Sequence, residues 1–232
     1  MDISSPVFHR LTIAALLMLT FATGLVDSVS VLVLGRVFVA NMTGNLVFLG
    51  FWFVKSGIDL TGGVVAFCGF LSGAVIGGRL TRTLGHQPRR WLTTALGIEV
   101  VLLTVLSILA GTGVLRYHDN TKLFLLGGLA VTFGIQNATA RQFGIHELST
   151  TVLTSTIVGI GVESRLAGGT GDRQALRVGV VLALCGGAIL GATLSNVAVA
   201  PVLGVAAAIV GASMLIFRFG PADRKSPAAL TS

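Results

Sequence analysis

Charged side chains are scarce in this sequence: Asp, Glu, Lys and Arg make up 11% of its 232 residues. A soluble domain usually carries about 25% charged residues, because its surface must face water. This shortage excludes a soluble enzyme and a disordered protein. Cysteine is scarce too, with 2 residues, which excludes a secreted disulfide scaffold. Both Cys68 and Cys185 lie in apolar runs and are predicted to be small, buried core residues.

Apolar residues and glycine are abundant instead. Hydrophobic residues account for 53% of the chain, and there are 31 glycines against 5 prolines. Many glycines with few prolines are typical of closely packed membrane helices, where small residues let two backbones approach. The net charge of +7 comes from short basic blocks between apolar runs, a pattern that favours membrane loops over a nucleic-acid surface. We therefore expect the lipid bilayer to surround most of the protein, and we expect no nucleic-acid partner.

Six apolar stretches are long enough to cross a bilayer, which takes about 20 residues. They are Leu11–Leu34, Gly62–Leu80, Trp91–Leu115, Leu123–Ala140, Leu176–Leu194 and Val197–Phe217. Two further apolar segments are unusual. Val37–Val54 is interrupted by the polar residues of Ala40–Asn45, and Leu148–Gly161 has only fourteen residues and is rich in Ser and Thr. The predicted fold class is therefore an all-α polytopic membrane protein, with six transmembrane helices and two short broken or re-entrant helices.

The basic residues predict the orientation of these spans. If the two unusual segments enter the membrane and return, twelve of the 16 Lys and Arg residues lie on the side of the N-terminus. If both segments crossed fully, the dense block Arg79–Arg90 would face outwards. Because basic residues concentrate in cytoplasmic loops, we expect a multi-pass protein of the cell (inner) membrane with both termini cytoplasmic.

An internal repeat is consistent with this topology. Four matches occur in the same order, at offsets that grow from 110 to 114 residues. They are Gly24–Asp27 with Gly134–Asn137, Met42–Asn45 with Leu153–Thr156, Gly73–Gly77 with Gly187–Gly191, and Gly97–Glu99 with Gly211–Ser213. We expect one membrane domain over residues 1–232, built as an inverted 3+3 repeat with halves at approximately 10–115 and 122–218. Chance similarity among glycine-rich apolar helices is the alternative.

Asp27 is a polar group deep in the first span, and such groups in hydrocarbon are costly. It is interpreted either as a cation, proton or substrate site, or as a carboxylate that caps the nearby start of the Val37 segment. Glu99 is the other carboxylate within a span, and it is predicted to pair with the cytoplasmic arginines in preference to relaying protons.

Two polar clusters are predicted to form a substrate site with Asp27. In the first half Asn41, Thr43 and Asn45 supply amides and a hydroxyl, while Gly44 permits close approach. The second-half counterparts are Gln136, Asn137, Thr151 and Thr154. If the repeat is inverted, the clusters approach the midplane from opposite sides and meet. Hydrogen bonding that only holds the helices together is the alternative for these residues.

Parts of this pattern resemble the YoaK family, a family of small bacterial membrane proteins of unknown function. The resemblance is carried by Gly24–Ser28, Val37–Asn45, Gly134–Ala138, Thr150, Thr151 and Thr154. The chain departs from the family at Ser155, where glycine is frequent. The resemblance covers roughly residues 10–218 and implies a polytopic membrane protein, but it implies no substrate and no catalytic residue.

The sequence therefore favours a small secondary transporter or channel for an unknown polar solute or ion, with its site between two inverted halves. A non-transporting scaffold or partner subunit is the alternative. An enzyme is not expected, because no nucleophile, base and orienting group can be identified together, and no cofactor or metal motif occurs. Glycine rows at four-residue spacing predict tight packing, and they also allow a homo-oligomer through those faces.

Overall fold

A computed structural model describes residues 9–53, 60–115, 120–143 and 153–221. Over these ranges the chain is helical and contains no strand. Its α-helices are α1 (His9–Leu32), α2 (Met42–Leu49), α3 (Leu60–Leu84), α4 (Pro88–Gly111), α5 (Lys122–Ala140), α6 (Leu153–Val162), α7 (Gln174–Ser195) and α8 (Val199–Phe219). Short 3₁₀ turns at Gly50–Phe53, Arg141–Phe143 and Arg165–Ala167 follow α2, α5 and α6.

In the described part of the chain, six of these helices are long and apolar enough to cross a membrane, and α2 and α6 are too short. The predicted fold class is thus confirmed, with six long helices and two short ones. Individual residues determine where some of these helices begin and end. Pro88 stands in the first turn of α4, where its missing N–H costs nothing. Gly35 and Arg36 both have positive φ after α1, which turns the chain out of the helix.

The long helices pack in pairs that join the two halves of the chain. Helix α3 packs along α5, α7 packs along α1, and α4 packs along α8. Helices α1 and α5 are the most enclosed, with 67% of each span buried, whereas α3 and α7 lie outside them with 28% and 17% buried. The core therefore lies between α1, α5, α4 and α8. Helix α3 of the first half covers α5, and helix α7 of the second half covers α1.

Glycines make the closest of these contacts. A methyl group on Gly73 of α3 would overlap the carbonyl of Val131 in α5, and one on Gly187 of α7 would overlap the carbonyl of Phe21 in α1. Gly73 and Gly187 are 114 residues apart in sequence, and Phe21 and Val131 are 110 residues apart. These separations are the offsets of the repeat. The reciprocal contacts, Gly24 on Leu184 and Gly134 on Phe70, obey the same offsets.

These contacts are made within one chain. The glycine faces are consequently occupied, and the expected homo-oligomer through them is not supported.

Two expectations about single side chains were wrong. Cys68 and Cys185 are exposed on the outer surfaces of α3 and α7, where lipid, not protein, is the apolar surrounding. Glu99 is fully buried in α4, and neither carboxyl oxygen has a hydrogen-bond partner in the described structure, so it does not pair with the arginine block. Sequence gives the depth of Glu99 along α4 but not the side of the helix from which it projects.

Candidate functional site

Asp27 fixes an irregular segment that follows α1. Its Oδ1 accepts hydrogen bonds from the backbone N–H groups of Val39 at 2.8 Å and of Ala40 at 3.0 Å. Residues 39 and 40 therefore lie at the depth of position 27, about 8 Å below the end of α1 at Leu32 at 1.5 Å per residue. The chain has thus turned back along α1 before α2 begins.

Two other side chains satisfy the rest of this irregular backbone. Asn45 accepts from the N–H of Phe38 at 2.9 Å and donates to the carbonyl of the same residue at 2.6 Å. Ser30 donates to the carbonyl of Val37. Non-helical backbone at membrane depth survives only where protein or water satisfies it, and here α1 and α2 do so. Gly44 contributes space, because a methyl group there would press on the ring of Phe38.

Beside this segment lies a cavity of about 700 Å³, which we call the central cavity. Its polar wall comprises Asp27 of α1, Asn41 before α2, Thr43 of α2 and Thr154 of α6. The remaining wall is contributed by Thr23, Gly24, Ser28, Val31, Leu32, Phe38, Ala40, Gly44, Leu153, Ile157, Leu184, Ala188, Ile189 and Ala192. Residues of the two short helices, one from each half of the chain, therefore border the same space.

Asn41 and Thr43 at the amino end of α2, and Leu153 and Thr154 at the amino end of α6, border this cavity, so the first turns of both helices lie beside it. Asn41, the residue before α2, makes no capping hydrogen bond with its side chain. A carboxylate, an amide, the hydroxyls of Thr43 and Thr154 and two helix amino ends border the cavity. The other two hydroxyls of the wall, those of Thr23 and Ser28, donate to carbonyls of α1, and the remaining residues of the wall are apolar or glycine. Such a surface can hold a polar solute or an ion by hydrogen bonds and charge.

The other predicted site residues lie elsewhere. Asn45 is fully buried behind the cavity, where it holds Phe38. Gln136 donates to the carbonyl of Leu19 at 3.2 Å and to Thr23 Oγ1 at 3.3 Å, which ties α5 to α1. Asn137 is buried and donates to the carbonyl of Phe133 in its own helix at 2.9 Å. Thr151 lies outside the described residues.

A salt bridge that was not predicted from the sequence joins Glu163, the residue after α6, to α7. Arg177 binds Glu163 with two hydrogen bonds, Nη1 to Oε2 at 2.7 Å and Nη2 to Oε1 at 2.8 Å. Its Nη1 also donates to the carbonyl of Gly159 at 3.3 Å. Arg177 is buried, and an arginine inside an apolar span was the signal available in the sequence, since such a charge needs a partner.

The matching place in the first half is apolar. There Leu49 of α2 packs on Gly63 of α3, whereas in the second half Arg177 of α7 packs on Gly159 of α6. Gly63 and Arg177 are 114 residues apart, the offset between α3 and α7, while Leu49 and Gly159 are 110 apart, one fewer than the 111 that relates Met42 to Leu153. The larger residue is thus on the short helix in the first half and on the long helix in the second. The short helix of each half is therefore attached to its neighbour by different chemistry.

Comparison with known proteins gives two matches. A family model described as protein of unknown function (DUF1275) matches residues 15–216. The UPF0700 transmembrane protein YoaK of Bacillus subtilis (strain 168) is 35% identical over 158 residues, which are 66% of this chain and 66% of that protein. The matched part thus spans just under two thirds of that relative's length. No solved structure matches the chain.

Proposed function

The chain belongs to the DUF1275 family of membrane proteins of unknown function, the family its likeness to YoaK indicates, and from that premise we propose that it is a small secondary transporter or channel. It is a multi-pass membrane protein with six spanning helices in its described part. The solute is a small polar molecule or an ion, and the protein acts without enzymatic chemistry.

One observation carries this proposal: Thr43 and Thr154, from opposite halves, border one cavity together with Asp27 and Asn41. Polar groups that served only to join helices would be expected to bond to one another across the interface. Thr43 and Thr154 instead border open space, each at the first turn of a short helix. Broken helices whose amino ends face a polar site near the midplane are typical of secondary transporters.

The exchange of partners between the halves supports an inverted repeat. The contacts of Gly73 with Val131 and of Gly187 with Phe21 are equivalent under the sequence offsets. With three spanning helices in each half, the halves must have opposite orientations in the bilayer. In alternating access, one group of helices would then move relative to the rest of the bundle around the central cavity.

Flux into proteoliposomes tests the proposal. Purified protein would be assayed with protons, sodium, potassium, glycerol and neutral amino acids as probes, against protein-free vesicles. We expect flux of at least one probe, and we expect Thr43→Val and Thr154→Val each to lower it severalfold, because each removes a hydroxyl and keeps the size. Thr193→Val is the matched control, since Thr193 is exposed on α7 and bonds only to Leu190 of its own helix.

Flux that is unaffected by Thr43→Val and Thr154→Val would contradict a site in the central cavity. Flux of no probe would favour a scaffold or partner subunit. A specific observation favours that second candidate: Asp27, Ser30 and Asn45 all bond to backbone groups of the irregular segment between α1 and α2. These bonds would be equally useful in a protein that transports nothing.

The orientation has its own test. We expect both termini and the loop between α3 and α4 to be cytoplasmic. In a Cys68→Ala, Cys185→Ala background, His86→Cys should escape an impermeant maleimide in intact cells and react after permeabilisation. Val114→Cys, exposed at the opposite end of α4, should react in intact cells and serves as the control. Labelling of position 86 in intact cells would reverse the proposed orientation.

A further inference from the structure

A second cavity lies where the first turns of α4 meet the carboxyl end of α8, and it shares no lining residue with the central cavity. It has a volume of about 420 Å³. Its wall is formed by Arg89, Arg90, Thr93, Thr94, Met214 and Arg218. Three guanidinium groups at one membrane boundary form a concentrated positive charge. The first turn of α4 contains no acidic residue, and its amino end adds a partial positive charge.

The three arginines of this cavity have different structural roles. Arg89 donates to the carbonyl of Arg218 at 3.1 Å and to the carbonyl of Gly220 at 2.6 Å. It thereby binds the terminal carbonyls of α8 and holds the two helix ends together. Arg90 and Arg218 are exposed at the rim, one from each helix. The cavity therefore brings together two exposed arginines from two helix ends that a third arginine holds in place, and the guanidinium carbon of Arg218 lies 5.4 Å from the centre of the Phe219 ring.

An apolar groove continues from this cavity into the membrane. A third cavity, of about 530 Å³, lies between α4 and α8 and shares Met214 with the arginine cavity. Glycine and alanine supply most of its α8 wall, Met214 and Leu215 supply the rest, and Val100 and Ile108 lie on α4. Its hydroxyls are occupied, because Thr104 donates to Val100 at 2.7 Å and Ser107 to Ala200 at 2.7 Å. From Arg218 to Gly204 the groove follows α8 for about 21 Å at 1.5 Å per residue.

We propose that these two cavities together bind one anionic phospholipid. The phosphate group lies between Arg90 and Arg218, whose forked donors suit phosphate oxygens. One acyl chain lies in the groove over the small residues of α8, which is longer than the roughly 15 Å of one leaflet's hydrocarbon. A free phosphate would use the arginines alone. Because the arginine cavity and the apolar groove share Met214, the site suits a lipid better than a free phosphate. Basic pockets between spanning helices are a known form of headgroup site.

Native mass spectrometry of the full chain in detergent tests this proposal. Dioleoylphosphatidylglycerol should bind the wild type more tightly than dioleoylphosphatidylcholine does. Arg90→Gln with Arg218→Gln should weaken phosphatidylglycerol binding about thirtyfold, on the basis of the usual contribution of each basic residue near anionic lipid. Arg79→Gln with Arg82→Gln is the matched control, because both residues are exposed near the end of α3, outside the cavity, and carry the same charge.

A second variant separates lipid from free phosphate. Ala208→Phe fills the exposed groove and leaves the arginines intact. It should weaken phosphatidylglycerol binding without changing competition by inorganic phosphate. Equal binding of the two lipids to the wild type would overturn the proposal, as would an equal loss in the Arg79, Arg82 control. Competition by inorganic phosphate as strong as that of the lipid would identify a phosphate site instead. Gel filtration of each variant establishes that it is folded before binding is measured.

Discussion

Leucine at position 73 or at position 187 should prevent the protein from folding stably. At both sites even a methyl group would overlap a backbone carbonyl of the facing helix, Val131 for Gly73 and Phe21 for Gly187. Backbone cannot move aside as the end of a flexible side chain can, so the helices must separate. Overpacking a core usually costs about 1–3 kcal/mol, and we expect these substitutions to exceed that range because contact is lost along a whole helix pair.

The measurement is the yield of monodisperse protein after detergent extraction, followed by the midpoint of thermal unfolding. Gly78→Leu is the control, since it is adjacent to Gly77 on α3 but a methyl group there meets no atom within 4 Å. It should behave like the wild type. If Gly73→Leu and Gly78→Leu are tolerated equally, then α3 does not pack on α5 through its glycines.

Replacing Asp27 by asparagine should preserve the fold and change transport. The amide oxygen of asparagine can still accept from the N–H groups of Val39 and Ala40, which keeps the irregular segment in place. The loss of a charge-assisted hydrogen bond should cost only about 1 kcal/mol of unfolding free energy. Because the titratable group at the central cavity is gone, we expect flux to lose its cation selectivity or its dependence on pH.

Asp27→Leu is the contrasting variant, because it removes both bonds as well as the charge. It should release the segment at residues 39 and 40 and lower the unfolding midpoint, whatever the function. Flux with unchanged selectivity and pH dependence in Asp27→Asn would contradict a direct role for the carboxylate. The scaffold alternative makes the opposite prediction for Asp27→Asn: lower stability, and no flux to lose.

Much of the architecture could be predicted because apolar length is a local property. The predicted spans Leu123–Ala140 and Leu176–Leu194 differ from α5 and α7 by at most two residues at each end. The break before α2 was also visible, since polar residues inside an apolar run identify backbone that leaves the helix. The resemblance to the YoaK family added a family and no mechanism, which agrees with the comparisons.

The composition of the site was less predictable, because it depends on the direction of each side chain. Gln136 and Asn137 are adjacent in sequence, and Gln136 bonds to Leu19 and Thr23 of α1, whereas Asn137 donates to Phe133 of its own helix. Asn45 is in the first turn of α2 with Thr43, yet Asn45 bonds to Phe38 while Thr43 borders the cavity. The apolar side of the central cavity that α7 supplies was not predicted, because it depends on the packing of α7 against α1, whose cavity-lining residues are more than 150 positions away in sequence.

That pairing also has a consequence for biosynthesis. Helix α1 is synthesised first, yet the surface that receives Gly24 is at Leu184 of α7, near the end of translation. Helix α3 obtains its partner earlier, when α5 follows it into the membrane. An insertion intermediate that ends after α4 would therefore expose the glycine faces of both α1 and α3 to lipid or to a membrane chaperone. The amino-terminal half is consequently not an independent folding unit, and its assembly waits for the last third of the chain.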